Sequence, residues 1–547
     1  MQHEAGSETA MNETTQTTYE RGVDFWMVYV SNLVVDMLSV LDVMAVSTAL
    51  PTIVGHLHGE DFVWVGSAFT VASTAIIPFV GDLVSGFGRK PVLLSFIVIF
   101  AIGSAICGAA QSMNMLIAGR AVQGFGGGGC LSITEIIYAD MVPLPERGKF
   151  QGIIASVWAL GCAIGPPIGG AFANSGNNWR WLFYLNLPLC GIAFLLTTVF
   201  LRVKTPKFEP IAAAKRMDWI GIFIIVCSTV ALLIGMTFGG LRFPWSSGHV
   251  IVPLVIGGVG LASFFVYEKI YSGHTVPSYF FTSRTTFSGY MGTFFHGIAS
   301  LAAIYYLPVY FQAVRDASPI GSGVDIFPLT LTIPAAAIVA GGSVKAVKKY
   351  RPQNYVGWAI TLLGFGVMSI MNVNSSRAQY IATQIPAGIG IGMVWVLTQF
   401  PILAPLPVSN SAHALGFHVF LRRFAQSFGI AIGGTIIQNV LLQQLPKDFL
   451  ATLPQGAEIA YSVIPSIKSI QDEQLKQQVR IAFANAVQLV WRVMIGISGA
   501  GLLSCLLMKE EQLRTDMDEQ WGLQAREQNK ADEVELGKEV ESDGNSR

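Results

Sequence analysis

Charge is what this sequence has little of. Only 12% of its 547 residues are Asp, Glu, Lys or Arg, against about a quarter in a soluble domain. Several soluble domains of this total length would need far more charge to cover their surfaces, which excludes that arrangement. The 34 basic and 34 acidic residues cancel, and a nucleic-acid binder would be basic. Cysteine is scarce as well. Its six residues all fall inside apolar runs, at spacings unlike a metal or disulfide framework, and read as small packing residues. The chain also lacks a G-x-x-x-x-G-K-S/T phosphate loop, a metal-ligand cluster and a Ser/His/Asp order worth pursuing. No cofactor, metal or nucleic-acid partner is therefore expected, and no enzyme activity.

What the sequence has is apolar length. Runs long enough to cross a ~30 Å hydrocarbon core recur throughout. Spans are expected near 27–54, 62–82, 91–110, 115–136, 150–173, 182–201, 218–239, 249–268, 286–313, 323–344, 354–373, 379–401, 412–437 and 484–507. This predicts an all-α polytopic membrane protein with about fourteen transmembrane helices. Lys and Arg set the orientation: with the N-terminus cytoplasmic, about fifteen fall in short inside loops and about four in short outside loops. An even span number then places the C-terminus inside too. The sequence divides into a polar tail (1–24), six spans (25–201), a basic loop (202–217), a middle pair (218–268), a loop (269–285), six further spans (286–508) and a charged tail (509–547). Both tails read as disordered. A long outside loop is expected over 438–483. Two six-span halves flanking an inserted pair is one common transporter plan.

Three segments go beyond hydropathy. The turn GDLVSGFGRK contains Gly81, Asp82, Ser85, Gly88, Arg89 and Lys90. Its glycines allow a tight reversal, and its two cations can reach helix C-termini and anionic headgroups. In LIAGRAVQGFGGGG, Arg120 lies within an apolar run, where a charge costs roughly 3 kcal/mol, and Gln123 lies almost one turn on. The string Gly124-x-Gly126-x-x-Gly129 matches a dinucleotide fingerprint only formally, because no strand precedes it; close helix packing is the expected use. In GCAIGPPIGG, two prolines interrupt a helical ladder, while Gly161, Gly165, Gly169 and Gly170 admit a close neighbour.

Together with NWRWLFYLNLP (178–188), LDVMAVSTALP (41–51) and YLPVYFQAV (306–314), these segments resemble motifs of the major facilitator superfamily. Fourteen spans narrow the likeness to the fourteen-spanner drug:proton antiporters, and within them to fungal pumps that export toxins and drugs. The likeness runs from about residue 25 to 508. It implies export of a small, largely apolar compound by alternating access, driven by the proton gradient. Asp42 matches a first-span Asp implicated in proton coupling, and Arg120 the fourth-span Arg that assists it. Gly161, Gly165, Pro166, Gly169 and Gly170 match the antiporter motif of exporters. One departure stands out: the family's gate Asp is replaced by Ser85, leaving Asp82, three residues earlier, as the nearest acid. The implied partners are a small-molecule substrate, protons and the lipid bilayer, with no partner subunit needed. The implied location is the plasma membrane, with vacuole or vesicle membranes as alternatives. Related fourteen-spanners import ferric siderophores, so uptake is the rival direction; a membrane sensor is a rival of another class.

Other buried polar residues are assigned from the residues alone. Asp36, rotated about 240° from Asp42, is a candidate substrate contact or second titrating group. Trp158, Tyr305 and Gln312 are candidate cavity-lining groups beside Gln123, and Tyr306 belongs with them. Glu135 reads as a snorkelling or paired residue. Arg422, Arg423 and Arg492 are candidates to balance a cavity acid, while His296, His413 and His418 read as satisfied core histidines. Asn374 heads a glycosylation sequon in an expected outside loop; the sequon at Asn12 lies on the cytoplasmic tail.

Overall fold

The computed structural model describes residues 22–57, 63–173, 176–201, 217–240, 243–271, 283–407, 410–450 and 470–513, with isolated residues 215, 463, 464 and 467. Most of both tails, the Asn12 sequon and most of the two basic loops lie outside them. Fourteen long helices occupy the fourteen apolar runs. They are α1 (Val23–Leu57), α2 (Val63–Phe87), α3 (Arg89–Gly108), α4 (Met113–Met141), α5 (Leu144–Ala173), α6 (Asn186–Phe200) and α7 (Trp219–Phe238). The series continues with α8 (Gly248–Ile270), α9 (Arg284–Val314), α10 (Phe327–Val347), α11 (Arg351–Met368), α12 (Arg377–Leu397), α13 (Ser411–Gln444) and α14 (Glu473–Ser504).

By length and apolar composition, twelve helical segments among the described residues qualify to cross a membrane. The helices α4 and α11 do not, for visible reasons. The first carries Arg120, Gln123 and a glycine run, and the second opens on Arg351, Gln353 and Asn354. Protein rather than lipid surrounds much of α4, which explains why its sequence can be so polar.

Helix ends depart from the apolar runs in two informative places. Residues 445–472, rather than 438–483, separate α13 from α14. The extension of α14 is amphipathic, burying Val479, Ala482 and Phe483 while Gln477 and Gln478 stay exposed, so it needs no continuous apolar run. At the other place α4 runs on to Met141, which brings Asp140 inside a helix.

Packing repeats between the halves. In the first, α1 packs on α5 and α6, α4 on α2 and α3, and α3 on α6. In the second, α9 packs on α13 and α14, α12 on α10 and α11, and α11 on α14. Each pairing recurs eight helices later, as two six-helix units separated by an inserted pair require. The inserted α7 and α8 pack on each other, and α7 lies against α2 and α13. Along α8 the side chains of Val255, Ile256 and Val259 are exposed, an apolar face suited to lipid.

Glycine sets the closest approaches. A Cβ on Gly124 would lie 2.3 Å from Phe69 O, and one on Gly128 would lie 2.1 Å from Ser73 O. The glycine run therefore seats α4 on the backbone of α2, the packing role expected in place of nucleotide binding. Between α2 and α3 the chain reverses at Gly88, whose φ of 84° is a conformation that favours glycine.

Candidate functional site

Five helices of the first half converge on Asp42. Arg120 Nη1 donates to its Oδ2. Its Oδ1 accepts from Gln123 Nε2 at 2.8 Å and from Asn186 Nδ2 at 2.9 Å. The ring of donors is itself held in place. Arg120 Nε donates to Val65 O at 3.0 Å, and its guanidinium lies 4.5 Å from the centre of the Phe69 ring. Gln123 Nε2 also donates to Ser104 Oγ at 2.8 Å, and Gln123 Oε1 accepts from Arg120 Nη1 at 2.6 Å. Thus α1 supplies the carboxylate, α4 the cation and amide, α2 a carbonyl and an aromatic face, α3 a hydroxyl, and α6 a second amide.

The Asp42 side chain is 0% exposed and that of Arg120 2% exposed. A buried charge pair persists only when each member is matched and hydrogen-bonded, and this one is. The sequence reading finds the Asp42–Arg120 pair but places Gln123 with the substrate-lining groups, whereas its amide is wholly buried in this network. Asn186 escapes that reading. Its signal lies in plain view, as the polar residue of the NLP step that opens α6.

A second cluster lies between the halves. Asp36 Oδ1 accepts from Thr134 Oγ1 at 2.9 Å and its Oδ2 from Tyr138 OH at 3.4 Å. One residue along α4 from Thr134, Glu135 Oε2 accepts from Gln151 Nε2 at 2.5 Å. Glu135, Gln151 and Tyr138 line a small cleft closed from the second half by Gln399 and Leu415. From α13, Arg423 places its guanidinium 4.6 Å from the centre of the Trp158 ring on α5. Neighbouring Arg422 lies 4.3 Å over Trp395 and donates from Nη2 to Trp395 O and to His418 Nε2, both at 2.8 Å. Asp36 and Trp158 thus share one region. Tyr305 lies against Tyr306, and Gln312 donates to Ser322 Oγ at 2.9 Å, both contacts within the second half. Arg492, the third candidate to balance a cavity acid, is exposed on α14.

At the GDLVSGFGRK end the halves meet closely. Asp82 Oδ1 stands 3.2 Å from His413 Nε2 on α13, so Asp82 makes a cross-half contact while Ser85 is exposed. His413 therefore differs from the core histidines His296, bonded to Ile391 O, and His418. Of the two partners expected for it, a helix C-terminus or a headgroup, Arg89 meets the first. It is buried, and its Nε donates to Asp140 Oδ2 at 2.8 Å. Lys90 Nζ reaches the C-terminal turn of α6, at Thr198 O, 2.6 Å away. Asp140 has no span-centre signal because it sits in the final turn of α4. Lys345 and Glu146 pair at 2.9 Å across the same end, and a Cβ on Gly148 would fall 2.3 Å from the Gly341 Cα.

The antiporter motif occupies the far part of α5. Cβ atoms on Gly161 and Gly165 would lie 2.6 Å from Val40 Cγ1 and 2.5 Å from Met44 Cβ, the residues flanking Asp42 on α1. Gly169 is buried, Gly170 meets nothing within 4 Å, and Pro166 lies on the same helix. Asn374 sits exposed in the turn between α11 and α12.

Residues 33–434 match the family model described as Major Facilitator Superfamily. The chain belongs to that superfamily. Among curated relatives, the efflux pump FUS6 of Gibberella fujikuroi is 35% identical over 519 residues, covering 93% of each chain. The MFS-type efflux pump LUC4 of a Fusarium species is 34% identical, covering 96% of this chain and 94% of its own. The acurin A biosynthesis cluster MFS-type transporter of Aspergillus aculeatus is 33% identical, covering 92% and 93%. The human organic anion transporter MFSD10 shares the fold at a TM-score of 0.59 and 14% identity, over 89% of this chain and all of its own. The proton:xylose symporter XylE does so at 0.55 and 12%, over 90% and 98%. This superfamily member is a multi-pass membrane transporter of small molecules and not an enzyme.

Proposed function

We propose that the chain exports a small, largely apolar organic compound, a secondary metabolite or toxin, by proton antiport and alternating access. The carrying observation is the sealed Asp42–Arg120 network and its link to the interface between the halves. Asp42 rides on α1, α1 packs through Val40 and Met44 on the antiporter glycines of α5, and α5 packs through Gly148 and Gly152 on α10 of the second half. A proton on Asp42 removes the charge that holds Arg120, so protonation loosens α1 from α4. A rocking motion of α5 against α10 does the reverse, by moving α1. The proton gradient is the energy source and no cofactor takes part.

Direction is supported by the names of the relatives, two of them efflux pumps and one a biosynthesis-cluster transporter. The antiporter glycines point the same way. We place the protein in the plasma membrane, with both termini cytoplasmic, working as a monomer. In that orientation the contacts Asp82–His413, Glu146–Lys345 and Gly148–Gly341 close the cytoplasmic end. Comparing small molecules inside and outside cells lacking the gene tests the reading. A compound that builds up inside and falls outside supports export and names the substrate; one that lingers in the medium and never enters reverses the direction.

A further inference from the structure

Arg422 and Arg423 stand out because their hydrogen-bond partners are all neutral. Arg422 is buried, and its acceptors are a backbone carbonyl and an imidazole nitrogen. Its Nε is buried without an acceptor, as is the indole Nε1 of Trp395 beneath it. Arg423 Nη1 donates to the amide oxygen of Gln426 at 3.2 Å. Glu135 lies within electrostatic reach of both arginines and Asp36 within reach of Arg423, yet neither carboxylate forms an ion pair with them. Two consecutive intramembrane cations without a direct counter-ion are costly. A guanidinium with a free edge is matched best by a carboxylate, which accepts two parallel N–H bonds.

The surroundings specify the rest of the ligand. Trp395 lies under Arg422 and Trp158 under Arg423, so each cation sits on a flat aromatic face. These indoles offer a planar apolar body a stacking surface beside the charge. Trp158 belongs to the first half and Arg423 to the second, so a ligand held here touches both moving bodies. We propose that Arg422 and Arg423, with Trp158 and Trp395, recognise an organic anion: a flat, apolar molecule bearing a carboxylate. Glu135 and Asp36 supply the counter-charge from a distance when no ligand is bound, and the ligand anion takes that place. The proposal rests on the export reading for the supposition that a small organic compound binds between the halves.

The test uses the full chain in phosphatidylcholine nanodiscs and three probes of one shape: 2-naphthoate, 2-naphthamide and 2-naphthylmethylammonium. Equilibrium dialysis against empty discs gives each affinity. Charge-assisted hydrogen bonds predict that naphthoate binds at least about tenfold tighter than the amide. Arg422→Gln and Arg423→Gln should each weaken naphthoate far more than the amide, erasing most of that preference. Arg423→Lys should keep only part of it, because an ammonium supplies the charge without the two-bond fork, and Glu135→Gln should tighten naphthoate by removing the rival anion. Equal binding of acid and amide, preference for the cation, or equal loss of acid and amide in the arginine variants overturns the proposal. Those results leave export standing if the gene deletion still traps a compound inside cells. Absence of binding by all three probes, together with no trapped compound, sinks both readings.

Discussion

At Asp42, one carboxylate satisfies donors from Arg120, Gln123 and Asn186, and each donor answers a different question. Arg120 supplies the charge, Gln123 ties that charge to α3, and Asn186 ties it to α6. Removing Asn186 leaves the ion pair but deletes one hydrogen bond to a charged group, worth about 1.5–3 kcal/mol. Asn186→Ala should therefore lower the melting temperature of the purified protein and slow transport without abolishing it; an unchanged protein would remove Asn186 from the network. Neutralising one partner of the buried pair costs about 3–5 kcal/mol because it strands the other charge. The double variant Asp42→Asn with Arg120→Gln should consequently destabilise by less than the sum of the single changes, and additive thermal shifts would contradict direct pairing. Arg120 was legible as a lone charge in an apolar run, and Asp42 through the resemblance of its span to the superfamily's first-span motif. Asn186 carried a local signal in its NLP step that went unread, whereas Asp140 and His413 carried none, since each acquires its role from a partner on a distant helix.

Among the elements, α5 does two jobs with one sequence. Gly148 and Gly152 bring it against α10, while Gly161 and Gly165 bring it against α1 beside Asp42. This division yields a contrast within one motif. Gly165→Ala places a methyl 2.5 Å from Met44 Cβ and forces α1 away, whereas Gly170→Ala meets nothing within 4 Å. Transport should fall severalfold or more in the first and stay near normal in the second, with both proteins reaching the membrane. Equal activity in the two variants would break the link between α5 and the Asp42 helix. The motif was readable as a small-faced helix, but which glycine faces which neighbour depends on helix rotation, which composition does not encode. The mixed character of α4 has a similar root: its glycines, Arg120 and Gln123 weaken its hydropathy, yet burial among α1, α2 and α3 is what permits them.

The whole molecule is two six-helix units whose pairings repeat eight helices apart, joined across α2–α13 and α5–α10. These two contacts are counterparts under the same repeat, so the halves meet as a pseudo-symmetric pair. That plan was legible from span count and the inserted middle pair; near Ser85, Asp82 was legible as the nearest acid, but its partner was not. That partner is His413, whose Nε2 stands 3.2 Å from Asp82 Oδ1 across the two halves. A Cβ on Gly81 would lie 3.5 Å from the His413 Cα, within disulfide reach. Oxidising a Gly81→Cys, His413→Cys protein should stop transport, and reductant should restore it; full activity while crosslinked would show that this end need not open.

The most direct measurement of the central claim is proton-driven transport by Asp42→Asn. Proteoliposomes holding either the native chain or the variant receive an imposed pH gradient, and movement of the compound trapped by the deletion strain is followed. The account predicts uphill movement by the native protein and none by the variant, compared at equal amounts of inserted, folded protein. Full gradient-driven movement by Asp42→Asn would contradict it and place the coupling carboxylate elsewhere.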